Sequence, residues 1–293
     1  MKYSYDVRLV HRADNLVGEC PLWNVRERAL YWVDTRKPAL QRLNANGSVD
    51  VWPMPHKIGS FVFREKGGLI AAMQIGFCEL DLDPFAVRPI IDPELDKPDN
   101  RMNDGKCDRK GRFWCGSRDP TDDNPGGSLY RLDPDFRCVK MDSGFIISNG
   151  MAFSPDDKTL IFGDSTGEVI YRYDFNLETG TIANRRDFLR TEGVPWHVDG
   201  ATFDAEGYYW CALIRDGAVG RFSPDGRLDR IVRLPVQHPT MCNFGGDNLD
   251  ILYVTSGHIF LTPEQKAAQP LAGSLFAVHG LGVRGVPEPF FAG

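Results

Sequence analysis

Four side chains with oxygen donors stand just before short, β-rich runs of this sequence. Glu19 lies in "VGECP", Asn103 in "RMNDG", Asn149 in "SNG" and Asp199 in "VDG". Two carboxylates and two carboxamides are the hard oxygen donors that a divalent cation prefers. Each residue taken alone is more simply explained as a turn residue. The elements that position them must decide between a metal site and four unrelated turns.

An internal repeat supplies those elements. Six segments share a polar turn followed by a short aromatic or aliphatic run, and they cover 24–35, 63–73, 108–117, 154–165, 204–214 and 245–257. A second strand-like run follows each of them, at 40–47, 77–84, 128–135, 169–176, 218–226 and 274–280. Gly, Asp and Asn in the turns and apolar residues in the runs are typical of strands joined by tight turns. The pattern predicts six small antiparallel sheets.

The fold class predicted from this repeat is all-β. We expect a six-bladed β-propeller with four antiparallel strands per blade, in a single domain over residues 1–293. A β-sandwich with coincidental spacing is the alternative. The last repeat is too short for a full blade, so strand 5–13 is expected to pair into it. One helix is predicted, with Thr262 as N-cap, Pro263 at its first position and Gln265 completing a capping box. Trp32, Trp114 and Trp210 are expected in the blade cores.

The residues with oxygen donors occupy the same position within successive copies of the repeat, which we call one phase. An apolar or turn-entry residue opens each first element, and these residues are Trp23, Phe63, Cys107, Phe153, Phe203 and Phe244. The residues four positions before them form a single set: Glu19, Gly59, Asn103, Asn149, Asp199 and Thr240. Equivalent positions of a propeller lie at the same radius and height, so these side chains are expected to face one place. Glu19 and Asp199 would repel each other there without a cation. The shared phase therefore favours a metal site over isolated turns.

Bulk composition excludes several classes of protein. The chain has 293 residues and a formal net charge of −6, and the absence of a basic block argues against nucleic acid as a partner. No long apolar run predicts a membrane span, and the first residues lack the apolar region of a signal peptide. The seven cysteines include no C-x-x-C pair, which argues against a zinc-thiolate site or a disulfide framework. Reduced thiols in a cytoplasmic protein are expected.

The sequence resembles the regucalcin–gluconolactonase family, also called senescence marker protein, over nearly its whole length. The order of the motifs along the chain carries the resemblance: "GECP", "RMNDG", "GRFWCGS", "GSLYRLDPD", "SNGMAFSPDDKTLIFGDS", "VDGATFDAEGYYWCAL" and "QPLAGSLFAV". The resemblance implies a six-bladed propeller that hydrolyses sugar lactones with one divalent metal. Calcium is the first expectation for that metal, with zinc, manganese, iron and magnesium left open.

The resemblance also implies roles for individual residues. The metal ligands of the family fall on Glu19, Asn149 and Asp199, and its substrate-side residues fall on Arg101 and Asn103. Asp199 is expected to handle a proton as well, as the catalytic residue. The chain departs from the family at Cys20, where glycine is common, and at Val198, where proline is common. The family's further acidic substrate contact has only Asp119 as a weak counterpart.

Lactone hydrolysis needs a polarised carbonyl and an activated water, and a metal with open positions can assist both. Arg101 is expected to hold substrate through its fixed fork of donors, although a surface role is an alternative. Trp196 and His197 are candidates for the pocket mouth, with a packed loop as the equal alternative. His238 and His258 are expected to be solvated loop residues.

Two other classes of function remain open from the sequence. One is a propeller aryl-esterase or phosphotriesterase, and the other is a non-catalytic calcium-binding propeller. No G-x-S-x-G elbow occurs, which disfavours a serine hydrolase. The expected partner is a small sugar lactone, with no membrane contact, and the expected state is a monomer or a weak homo-oligomer.

Overall fold

The computed structural model describes residues 4–293, which contain 24 strands and one short helix. The first nine strands are β1 Asp6–His11, β2 Gly18–Asn24, β3 Ala29–Asp34, β4 Ala39–Leu43, β5 Val49–Pro53, β6 Ile58–Phe63, β7 Leu69–Met73, β8 Gly76–Leu82 and β9 Phe85–Ile91. The next eight are β10 Arg101–Cys107, β11 Phe113–Arg118, β12 Gly127–Leu132, β13 Cys138–Phe145, β14 Ser148–Phe153, β15 Thr159–Asp164, β16 Val169–Asn176 and β17 Thr181–Arg190. The remaining elements are β18 His197–Phe203, β19 Tyr209–Ile214, β20 Ala218–Phe222, β21 Leu228–Arg233, β22 Pro239–Gly245, β23 Ile251–Ser256, α1 Pro263–Ala268 and β24 Leu275–His279.

The strands form six four-stranded antiparallel sheets, which are the blades of a six-bladed β-propeller. The chain divides into two compact units, Met1–Pro53 with Gly193–Pro287, and Met54–Glu192 with Glu288–Gly293. We call the first the terminal unit and the second the central unit. The terminal unit holds the sheets β2-β3-β4-β5, β18-β19-β20-β21 and β1-β24-β23-β22. The central unit holds the sheets β6 to β9, β10 to β13 and β14 to β17, each in chain order.

Three expectations about local structure are confirmed. Strand β1 completes the last blade, pairing antiparallel with β24 through partners such as Val7 and Val278. The helix α1 has Thr262 as its N-cap, a complete capping box with Gln265 and proline in its first turn. All six repeated runs are the second strands of their blades, and each following run is a third strand.

The polar turn of the repeat has a structural purpose that is visible in both units. In the central unit, Asp108 accepts hydrogen bonds from its own turn backbone and from the indole Nε1 of Trp114 at 2.8 Å. In the terminal unit, Asp204 does the same for its turn and for Trp210, also at 2.8 Å. These indoles and Trp32 are fully buried, which confirms their assignment to the blade cores.

The first strand of every blade is irregular at the phase that the sequence singled out. Pairing with the second strand shifts between Glu19 and Leu22, Ile58 and Ser60, Met102 and Gly105, Asn149 and Ala152, Val198 and Ala201, and Pro239 and Cys242. Each of the six aligned residues therefore lies in or beside a β-bulge. Bulges re-aim side chains and interrupt pairing, and they are common next to active sites.

Candidate active site

Arg101, Asn103 and Asn149 are brought together in the central unit. The Nη1 of Arg101 donates to Oδ1 of Asn103 at 2.8 Å. The Nδ2 of Asn103 donates in turn to Oδ1 of Asn149 at 2.9 Å and to the carbonyl of Ser148 at 2.8 Å. Arg101 and Asn103 are half-buried, and this hydrogen-bonded line joins the predicted substrate residues to one predicted metal ligand.

Asn149 is held in place on both sides of its amide. Its Nδ2 donates to Oγ of Ser165 at 2.8 Å, and its side chain is buried, with 8% of the residue exposed. The next residue, Gly150, has a φ of 61°, a left-handed conformation that glycine adopts without steric cost. Ser165 is a site residue that sequence reasoning missed. The signal was present, because Ser165 ends the same motif that contains Asn149.

Asp199 lies in the bulge of β18 in the terminal unit and is 7% exposed. The thiol of Cys211, on β19, contacts the Asp199 carbonyl at 3.6 Å and supports the backbone at this point. In the central unit the thiol of Cys115 contacts the carbonyl of Asn103 at 3.6 Å. In these two second strands, β19 and β11, a cysteine thiol thus donates to a backbone carbonyl at the bulge of the neighbouring first strand. The sequence analysis did not assign this role to the cysteines.

Glu19 is half-buried at the bulge of β2, and the following Cys20 has a φ of 52°. This is the left-handed region that favours glycine, so the family's glycine at this point has a conformational reason. Thr240 of β22 lies next to this strand; its hydroxyl donates to the carbonyl of Gly18, and its Oγ1 lies 3.0 Å from Oγ1 of Thr255. Thr240 therefore secures the bulge of its neighbour.

In each unit, one first strand forms hydrogen bonds with the other two first strands close to the bulges. This strand is β22 in the terminal unit and β10 in the central unit. In the terminal unit β22 reaches β2 through Thr240, and it reaches β18 through the Cys242 thiol, 3.9 Å from the carbonyl of Gly200. In the central unit β10 contacts β14 through Asn103, and Ser60 of β6 donates to the Asn103 carbonyl at 2.8 Å. The positions Gly59 and Thr240 serve packing, whereas the other four aligned residues have oxygen donors.

Trp196 and His197 were candidates to line the pocket mouth, and His238 and His258 were predicted to be solvated. The structure shows the burial of all four residues. Trp196 is half-buried, with its ring 6.3 Å from that of Phe222, and His197 is half-buried at the start of β18. The expectation that His238 and His258 are solvated is wrong, because both are buried. His238 packs edge-on against Phe260, and burial, together with the charge of Arg215, lowers its pKa.

The Nε2 of His258 lies 3.2 Å from Asp14 and 3.3 Å from the Lys266 amine. Asp119, the weak counterpart of the family's acidic contact, accepts hydrogen bonds from the backbone N–H and the hydroxyl of Thr121 in its own loop. The bond from the hydroxyl is the main cause that lowers the pKa of Asp119.

Asp104 is a further buried acid that sequence reasoning passed over. It accepts a hydrogen bond from the backbone N–H of Met151 at 2.9 Å, which links β10 to β14 beside Asn103 and Asn149. Burial raises the pKa of the Asp104 carboxyl to about 6. Its adjacency to Asn103 in "RMNDG" was the available signal.

The chemistry of the donor set fits a hard divalent ion, because carboxylate and amide oxygens are the ligands that such ions take. Asn149 commits its nitrogen to Ser165, and its oxygen accepts one hydrogen bond, so a second lone pair remains for a ligand bond. Within residues 4–293, no group of three or more His, Cys, Asp or Glu side chains is placed to hold a metal ion. The predicted set is of another composition, with two carboxylates and one amide.

Residues 17–258 match the family described as the SMP-30/Gluconolactonase/LRE-like region. The chain belongs to this family. It is 39% identical to 6-deoxy-6-sulfogluconolactonase of Pseudomonas putida, over 98% of this chain and 99% of that protein. It is 35% identical to regucalcin of Oryctolagus cuniculus, over 94% of this chain and 95% of that one.

Solved structures support the same assignment. A calcium-binding regucalcin from Agrobacterium tumefaciens matches 99% of this chain and 98% of its own, with a TM-score of 0.94 and 26% identity. A luciferin-regenerating enzyme matches 99% of this chain and all of its own, with a TM-score of 0.92 and 27% identity. The propeller fold and the family resemblance are confirmed, and so is the expectation of a gluconolactonase-like hydrolase at the level of the family.

All seven cysteines are free thiols, six of them buried. No helix in the part of the chain that the structure describes is long and apolar enough to cross a membrane.

Proposed function

We propose that this protein hydrolyses a sugar lactone to the corresponding aldonic acid with the help of one divalent metal ion. The observation that carries the proposal is the placement of Glu19, Asn103, Asn149 and Asp199 at equivalent bulges of four first strands. Members of the family with known names include a sulfogluconolactonase and several regucalcins, and this supports the lactone class of substrate.

Glu19, Asn149 and Asp199 would hold the ion, with calcium as the first choice. Such an ion supplies Lewis acidity, which polarises an ester carbonyl and makes an attacking water more acidic. Three protein ligands leave coordination positions free for these tasks. The set contains no thiolate or imidazole, a composition that suits calcium better than softer ions.

The remaining steps belong to side chains of this chain. Arg101 holds the ring hydroxyls of the lactone through its guanidinium, and Asn103, oriented by Arg101, holds the acyl end in position. Asp199 accepts a proton from the attacking water as that water bonds to the carbonyl carbon. The ring C–O bond then breaks, and the same carboxyl returns the proton to the leaving oxygen, which becomes the hydroxyl of the open acid.

The location that fits this function is the cytoplasm, which the seven free thiols support. The protein is proposed to act as a monomer or a weak homo-oligomer on a small, freely diffusing substrate.

The test is lactone hydrolysis with and without metal. The chelated protein is supplied with glucono-1,5-lactone and other aldonolactones in a pH-stat, and calcium, zinc, manganese, iron and magnesium are added back singly. We expect little acid release from the chelated protein and recovery with at least one ion. Calcium binding without turnover of any lactone would leave a binding protein instead, and turnover of aryl esters alone would indicate an esterase.

A further inference from the structure

Arg118 occupies a position that the proposed mechanism does not use. It is the last residue of β11 and pairs directly with Arg101, the first residue of β10. Directly opposed residues of an antiparallel pair project from the same face, with Cβ atoms about 5 Å apart. The side chains of Arg101 and Arg118 therefore leave the same face of the sheet, at the end of the blade where Arg101 donates to Asn103. Like charges in this arrangement are destabilising unless an anion joins them.

The contacts of Arg118 leave a donor for such an anion. Its side chain is only 11% exposed, and its Nη2 pairs with the carboxylate of Asp122. Its Nε is buried and has no hydrogen-bond partner among the residues that the structure describes. A buried donor without an acceptor costs on the order of 1–3 kcal/mol. The guanidinium edge formed by Nε and one terminal nitrogen fits the paired oxygens of a carboxylate, sulfonate or phosphate.

A third cation lies at the same end of the blade. Lys97 donates to the carbonyl of Gly126 at 2.6 Å, and Gly126 ends the loop that carries Asp122. The buried acid Glu94 is 3.9 Å from Lys97 and already accepts hydrogen bonds from Ser117, Tyr130 and Asn100. Asp119 bonds within its loop. Asp122 is thus the carboxylate that an incoming anion would have to displace or share.

We propose that Arg118, together with Arg101, binds an anionic group on the terminal carbon of the sugar chain, at the opposite end from the carbonyl carbon. The substrate is then an acidic sugar lactone, one that has a sulfonate, phosphate or carboxylate at its distal end. The inference rests on the proposed function for the lactone itself, because it is Arg101 that connects the two sites. Arg118 acts as a specificity-determining residue, and Asp122 holds its side chain while the site is free.

Binding of open-chain acids tests this without requiring turnover. Gluconate, 6-phosphogluconate, glucarate and 6-deoxy-6-sulfogluconate share the acid group at the reacting end and differ at the distal carbon. We expect calorimetry with the calcium-loaded protein to show at least one of the three distally charged acids binding about 10-fold tighter than gluconate. The rank among those three identifies the anionic group.

Variants separate recognition from folding. Arg118→Gln should lower the ratio of charged to neutral affinity by about 10- to 100-fold, whereas Arg118→Lys should keep part of that ratio. Asp122→Asn should raise the ratio by about 3-fold, because it removes the competing carboxylate, and a residue with only a structural role would not produce that gain. Arg190→Gln, on an exposed arginine that pairs with Asp187, is the matched control and should leave the ratio unchanged.

Hydrolysis of the corresponding lactones is measured beside binding. An affinity ratio that depends on Arg118 without hydrolysis of any lactone would refute the proposed function and leave the anion site standing. Hydrolysis of lactones by a protein that does not prefer the charged acids would overturn the anion site. A preference that survives Arg118→Gln, or one that Asp122→Asn leaves unchanged, would overturn it as well.

Discussion

The two carboxylates proposed as metal ligands are in different environments. Asp199 is buried in the bulge of β18, with its backbone carbonyl contacted by the Cys211 thiol, whereas Glu19 is half-buried beside the left-handed Cys20. A rigidly held carboxylate is suited to moving a proton at a fixed place. On this ground we propose that Asp199 transfers the proton and that Glu19 acts as a ligand only.

Substitution of each acid by its amide tests that assignment. Asp199→Asn keeps an oxygen donor but removes the basic site, so kcat at saturating metal should fall by about 10²- to 10⁴-fold. Glu19→Gln should act mainly through metal affinity, and excess metal should restore much of its rate. The measurement is kcat as a function of metal concentration. Equal rescue of both variants by excess metal would show that Asp199 is a ligand only.

The raised pKa of Asp104 predicts how the free energy of unfolding changes with pH. Burial raises the pKa of its carboxyl to about 6 in the folded protein, above the ordinary value of 3.8. Between these values the folded state binds more protons than the unfolded state, so the free energy of unfolding decreases as the pH rises from about 4 to above 6. Asp104→Asn keeps the acceptor for Met151 and removes this dependence.

Urea unfolding of both proteins at pH 4 and pH 7.5 measures the effect. Relative to wild type, Asp104→Asn should gain on the order of 3 kcal/mol between the two pH values, the equivalent of about two pKa units. A constant difference between variant and wild type at both pH values would mean that Asp104 has an ordinary pKa when folded.

At the scale of elements, the first strands approach each other more closely than ordinary side chains allow. A Cβ added to Gly59 of β6 would lie 2.6 Å from the Asn103 carbonyl oxygen and 2.8 Å from the Asn103 Cα. Both atoms are backbone, so the clash cannot be relieved by turning a side chain. Gly59 is therefore the member of the aligned set that lets β10 bring its bulge inward.

Gly59→Ala should displace the bulge that carries Asn103. We expect a loss of about 1–3 kcal/mol in the free energy of unfolding, as for other overpacked sites, and a lower rate of lactone hydrolysis. Gly126→Ala is the matched control, because its new Cβ would come no closer than 3.5 Å to Asp119. Equal stability of the two variants in urea would show that β6 and β10 have room to separate.

At the scale of the whole molecule, the chain passes from one compact unit to the other more than once, because each unit is made of two separate segments. The terminal unit is assembled from both ends of the sequence, and the central unit lies between them. Residues Glu288–Gly293 belong again to the central unit, where the Phe291 N–H donates to the Phe63 carbonyl at 2.7 Å and the Phe291 ring is fully buried. We propose that residues 1–293 unfold as a single domain.

Calorimetry tests the single domain directly. Wild type should show one transition with equal calorimetric and van't Hoff enthalpies. Phe291→Ala, which removes about 3–5 kcal/mol of packing from the central unit, should lower that transition as a whole. Two resolved transitions, with only one of them shifted by Phe291→Ala, would show that the units unfold independently.

The sequence by itself determined the features that depend on neighbouring residues. The alternation of turns and strands predicted six blades, and the capping residues predicted α1 at its observed position. The repeat also aligned six positions that lie in or beside the bulges of the first strands, although the bulges themselves were not predicted. These features are short-range, so their signals are complete within a dozen residues.

Tertiary structure decided what each aligned position does. The neighbouring strands turn Gly59 and Thr240 into packing positions, and they bury His238 and His258, whose sequence context indicated solvent. The opposition of Arg101 and Arg118 likewise depends on the register between two strands. Such contacts join residues across loops of varying length, and strand register and burial are set by the packing of whole sheets.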